Sequence, residues 1–114
     1  MSTKNRTVAL ELGTSNSDTY TVPNNYETQV KSIFISNLTG NQVTFSLDWY
    51  DSTATQYHTI AETVKMVPNS IIQITEYSLF LEKNDKIRGL ASANSAVTVT
   101  VSTEEMFEPR NRFA

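Results

Sequence analysis

Apolar and polar residues alternate with a period of two along most of the chain, the period of a half-buried β-strand. Val8, Leu10 and Leu12 share one face, with Thr7, Ala9 and Glu11 on the other. A turn-rich stretch follows, Gly13-Thr14-Ser15-Asn16-Ser17-Asp18, whose side chains bond readily to nearby backbone. Thr19-Tyr20-Thr21-Val22 reads as a short strand stopped by Pro23, and Asn24-Asn25 continues the turn. Residues 30–38 are strand-like but apolar on both faces in the middle, at Ile33, Phe34 and Ile35. That marks a central or doubly covered strand.

Thr39-Gly40-Asn41 reads as a hairpin turn into the clearest strand. There Val43, Phe45, Leu47 and Trp49 line one face, and Thr44, Ser46, Asp48 and Tyr50 the other. A polar loop over residues 51–55 leads to a weaker strand over residues 56–66, and Pro68-Asn69-Ser70 makes another turn. Ile72 and Ile74 alternate with Gln73 and Thr75, and Leu79 and Leu81 flank Phe80. Lys83-Asn84-Asp85-Lys86 is a polar turn before Ile87, and Val97, Val99 and Val101 alternate with Thr98, Thr100 and Ser102.

No segment sustains a helical period. Short strands separated by turn signals every 8–12 residues or so predict an all-β, antiparallel β-sandwich, jelly-roll or immunoglobulin-like in its strand order. One domain is expected, residues 1–106, with residues 107–114 as a C-terminal extension. The length of 114 residues suits a single core without staples.

Composition agrees: branched residues fit a pleated surface, and 39% hydrophobic against 18% charged residues lies outside the disordered regime. The chain has no cysteine, which excludes disulfides, thiolate catalysis and zinc–sulfur sites. A net charge of −3 and a pI near 5.0 argue against nucleic acid, which demands a basic stripe. The polar opening, Met1 to Arg6, precedes no apolar run, so neither a signal peptide nor a membrane span is expected. A soluble protein made in a cytoplasm is the expectation.

Candidate chemistry is sparse. His58 is the one histidine and has no cysteine or second histidine to act with, so a half-exposed strand residue is expected. Asp48, Asp51, Glu104, Glu105 and Glu108 read as solvated turn and rim charges, since nothing in their spacing sets two carboxyls across a cleft. The loop after Asp51 lacks the acidic density of a calcium site. The isolated glycines 13, 40 and 89 form no phosphate-cradling loop, and Asn37-Leu38-Thr39 is a sequon that reads as a strand end. No catalytic group, metal or cofactor is expected.

Aromatic residues offer contacts instead. Trp49 is expected in the core, and Tyr50 on the opposite face. Tyr50, Tyr57 and Tyr77 are candidate interface anchors, because tyrosine is enriched at protein contacts. Phe107, Arg110, Arg112 and Phe113 would suit an arm that clasps a neighbour.

Several stretches together resemble a group of small structural proteins of tailed bacteriophages, frequent among marine and cyanobacterial phages. They are Tyr20-Thr21-Val22-Pro23; residues 30–37, of the form Val-Lys-Ser-Ile-x-Ile-x-Asn; and residues 43–51, of the form Val-Thr-x-x-Leu-x-Trp-Tyr-Asp. Val67-Pro68-Asn69-Ser70 and residues 81–93, Leu-x-x-x-Asp-x-Ile-Arg-x-x-Ala-Ser-Ala, complete the plan with the pair Glu104-Glu105. The likeness covers residues from about 19 to 105, with Asn24-Asn25 and Asn69 where the usual plan has glycine.

The resemblance implies a β-sandwich of the virion, with Asp85 capping the turn before Ile87. The function expected is a capsid decoration or cement protein that binds the outer shell and bridges capsid subunits. Its expected partners are the major capsid protein or other virion proteins. A homo-oligomer is expected, a trimer at a capsid three-fold position. The alternatives are a neck, tail or fibre component and, from another class, a carbohydrate-binding sandwich with Trp49 or Tyr50 as stacking platform.

Overall fold

The alternating segments become nine strands in a computed structural model that describes residues 3–74 and 79–107. They are β1 (Thr3–Glu11), β2 (Ser17–Thr21), β3 (Tyr26–Asn37), β4 (Val43–Asp51), β5 (Gln56–Met66), β6 (Ser70–Ile74), β7 (Leu79–Leu81), β8 (Lys86–Ala91) and β9 (Val97–Phe107). None of the described residues is helical. The first sheet has the order β1-β9-β3-β6, with β7 also paired to β3, and the second has the order β2-β8-β4-β5.

The antiparallel pairs are nested: β1 with β9, β2 with β8, β3 with β6 and β7, and β4 with β5. The chain is thus one long ribbon bent back at the β4–β5 hairpin and rolled so that successive segments alternate between sheets. That connectivity is a jelly roll. It decides between the two strand orders that the alternation alone permits.

The turn at Thr39-Gly40-Asn41 is not a hairpin turn. β3 and β4 lie in different sheets, so residues 38–42 arch from one to the other. Asn37, fully buried, builds the arch. Its amide donates to the carbonyls of Asn41 at 2.9 Å and Val67 at 3.1 Å, and its Oδ1 accepts from the Thr39 hydroxyl at 2.7 Å. Both strands still alternate correctly, because each buries one face against the other across the core.

That core is filled by Val97, Val99 and Val101 of β9 and Ile35 of β3 from the first sheet, and by Phe45 and Leu47 of β4 and Ile87 of β8 from the second. Each such side chain contributes about 1.5–3 kcal/mol relative to leaving it in water. β3 is a central strand between β9 and β6, as its apolar run predicts. Gly89 of β8 lies so close to β4 that a Cβ there would meet Leu47 Cδ2 at 2.7 Å and the Ser46 carbonyl at 2.9 Å.

Asparagines hold the left-handed turn positions at Asn25 (φ 68°), Asn69 (54°) and Asn84 (68°), as their short polar side chains permit. Thr63 of β5 also has positive φ, 51°. It sits where the β4–β5 register slips between Phe45 and Leu47, and its N–H bonds to Ser46 Oγ at 2.9 Å. This is a β-bulge, the extra residue increasing local twist at the sheet edge.

Candidate functional site

β4 alternates strictly, so burying Val43, Phe45 and Leu47 sends Asp48 and Tyr50 to the outer face of the second sheet. The register sets Arg88 beside Asp48, and Lys86 and Tyr57 on either side of Tyr50. Arg88 is held from two sides. Its Nε donates to Asp48 Oδ2 at 3.2 Å, its Nη2 lies 3.1 Å from the same oxygen in an ion pair, and its guanidinium carbon lies 3.4 Å from the Tyr57 ring centroid.

The Tyr50 and Tyr57 rings lie 4.7 Å apart at 44°, and the Lys86 ammonium is 5.6 Å from the Tyr50 centroid. Lys86 pairs in turn with Asp18 of β2 at 3.5 Å. The result is a plate of two tyrosines and two cations, each cation with its own carboxylate. Its net charge is near zero and its rotamers are already fixed by neighbours. A surface so preordered loses little side-chain entropy on binding, and tyrosine and arginine are the residue types enriched in the energetic centres of protein contacts.

Trp49 points the other way. It packs against the core, stacks on His58 with centroids 4.9 Å apart, and lines a hollow of about 290 Å³ between the sheets with Val30, Ile33, Ile60, Ile74 and Leu79. His58 is half-buried by this stack. Trp49 is therefore no exposed stacking platform, and the faces of Tyr50 and Tyr57 are occupied by each other, Lys86 and Arg88.

The expected anchors divide between two places. Tyr50 and Tyr57 meet on the plate, whereas Phe107 is the last residue of β9, its ring 5.4 Å from Tyr26. The last strand thus runs one residue past the expected start of the extension. Tyr77, Arg110, Arg112 and Phe113 lie outside the described residues.

One reading from sequence is corrected. Glu105 is not a solvated rim charge: it is fully buried between the sheets. Its Oε2 accepts a 2.6 Å hydrogen bond from the Tyr20 hydroxyl, which also contacts Thr28 Oγ1 at 2.9 Å. Lys4 and Arg6 of β1 approach the carboxylate at 3.8 and 3.6 Å. Burial, and the neighbouring Glu105 as hydrogen-bond acceptor, push the Tyr20 hydroxyl up to about 12. The signal was present in the sequence, since Glu105 continues the inward parity of Val97, Val99, Val101 and Thr103.

Asp85 is likewise buried, and its two oxygens accept from the Glu82 N–H at 2.9 Å, the Ser52 N–H at 2.9 Å and the Ser52 hydroxyl at 2.8 Å. It closes its own turn and ties it to the β4–β5 loop. Among the described residues, no group of three His, Cys, Asp or Glu side chains is placed to hold a metal ion.

No family model matches the sequence, and no curated protein matches it. Among solved structures, the fold is shared with a chain of Bacillus endospore appendages, described as a novel family of disulfide-linked pili. The TM-score is 0.56 at 10% identity, over 94% of this chain and 88% of that one. At that identity the likeness is one of fold.

Proposed function

We propose that this chain is a non-enzymatic structural protein of a tailed bacteriophage virion, a decoration or cement protein that binds the outer capsid shell and bridges neighbouring subunits. The observation that carries the reading is the plate of Tyr50, Tyr57, Lys86 and Arg88. It is internally charge-compensated and set on the broad face of a sandwich, which suits repeated docking on an ordered protein surface. The ordered run of motifs between about residues 19 and 105 supplies the virion context by resemblance.

A neck, tail or fibre component is the second reading, favoured by the fold shared with a chain of pilus-forming appendages. Any such fibre would differ from those pili in its linkage, because this chain has no cysteine with which to form a disulfide. Quantitative peptide counting on purified particles separates the two. Hundreds of copies per virion support the shell, and a dozen or so move the chain to the neck, tail or fibre. Absence from particles overturns both readings.

A further inference from the structure

β1, an edge strand paired only with β9, is held in two different ways along its length. In its second half Val8 and Leu10, with Leu12 just beyond, turn inward and pack on the core. In its first half the inward positions are Lys4 and Arg6, set opposite Glu105 and Thr103 of β9. Residues 3–7 are all exposed, whereas Thr103 and Glu105 beneath them are buried. This half-strand shields a buried carboxylate and buries no apolar side chain of its own.

The cover fits loosely. Lys4 Nζ is 3.8 Å from Glu105 Oε1, and Arg6 Nη1 is 3.6 Å from Oε2, both outside hydrogen-bond range. Oε2 has the Tyr20 hydroxyl, but Oε1 is buried with no hydrogen-bond partner among the described residues. An acceptor left so costs stability, and a strand that supplied the missing donor would bind better.

The strand in place defines the chemistry of the site: an extended segment, antiparallel to β9, with basic residues two apart. Lys4-Asn5-Arg6 has that pattern, and it recurs in Arg110-Asn111-Arg112. Lys86 and Arg88 share the spacing, but β8 is already paired on both sides. An arginine in place of Lys4 presents a planar fork that matches both oxygens of a carboxylate.

We infer that the β9 edge over residues 103–107 is a strand-exchange site, at which Arg110-Asn111-Arg112 of a second copy displaces residues 3–7 and sets Arg110 beside Glu105. The backbone ladder is the same with either strand, so side chains decide the exchange, and the unpaired oxygen favours arginine. The chain's own segment is not the occupant. Pairing its Arg110 with Glu105 would reverse the chain at Phe107 and Glu108, whereas Phe107 continues β9, pairs with Tyr26 and packs on its ring.

The test is sedimentation equilibrium of the full chain, with hydrogen exchange read by mass spectrometry over the same concentrations. Wild-type protein is expected to associate as concentration rises. In step, the amides of residues 3–7 lose protection by about tenfold or more while those of residues 103–107 keep theirs. The double variant Arg110→Ala, Arg112→Ala stays monomeric with residues 3–7 protected, and circular dichroism verifies its fold. Lys4→Arg gives the resident strand the same fork and weakens association by about tenfold. Tyr57→Ala changes neither readout, which separates this contact from the tyrosine plate. A wild-type chain that stays monomeric up to about millimolar concentration, association that survives the double alanine variant, or association that leaves residues 3–7 protected overturns the inference.

Discussion

The Tyr20 hydroxyl of the second sheet donates a 2.6 Å hydrogen bond to Glu105 Oε2 of the first, and neither side chain is more than 4% exposed. A sandwich held mostly by valine, isoleucine and leucine thus has a buried polar cross-tie at the end where β1 begins. Its value depends on the phenol staying neutral, since a phenolate would face the carboxylate in a site with little water.

The folded pKa of Tyr20, about 12, lies above its ordinary 10.0. A raised pKa contributes stability that is fully present below pH 10 and lost as pH rises through 12. The loss amounts to about 2–3 kcal/mol over that window, at about 1.4 kcal/mol per pH unit. Urea unfolding at a series of pH values should find Tyr20→Phe less stable than wild type at pH 8. The gap should close between pH 10 and 12. A gap that stays constant across the window would contradict the cross-tie.

Gly89 is required by a close approach of strands. A methyl group there meets the Ser46 carbonyl at 2.9 Å, and that atom belongs to backbone already paired between β4 and β8. Gly89→Ala should lower stability by about 1–3 kcal/mol, the usual cost of overpacking a filled core. Thermal unfolding reads this as a fall of several degrees. An unchanged midpoint would mean the sheets have slack at this point.

Thr63 is a β-branched residue at φ 51°, exposed at the bulge of an edge strand. Asparagine tolerates that conformation better and keeps the N–H bond to Ser46 Oγ. Thr63→Asn should therefore gain about 0.5–1 kcal/mol. Denaturant titration that finds a loss instead would show the threonine side chain to be needed there.

Much of the fold was legible because a period of two reports directly on which face is buried. The inward set Val43, Phe45 and Leu47, the bounds of β5, and the turns at Asn25 and Asn69 all follow from local residue types. Parity does not say which sheet a strand joins. Residues 38–42 looked like a hairpin because a five-residue connection serves a hairpin or an arch equally well, and the arch is decided by Asn37 reaching residues 66 and 67.

The site was half legible for the same reason. Tyr50 and Tyr57 could be assigned to outward positions from residue type and alternation. Arg88 and Lys86, which lock their rings, come from a strand some thirty residues away, and only the β4–β8 register brings them together. Glu105 was misread because residue type was weighed above parity: a carboxylate at an inward position is rare, yet here Tyr20 receives it.

The most direct test of the proposed role is to add purified protein to capsids assembled without it and count the copies retained after sedimentation. The wild-type chain should load to hundreds of copies per particle. The double variant Tyr50→Ala, Tyr57→Ala, folded by circular dichroism, should lose most of that binding, because the plate loses both rings on which Arg88 and Lys86 rest. Equal loading of the variant would show that the plate is not the shell contact, and no loading of the wild-type chain would contradict the decoration role itself.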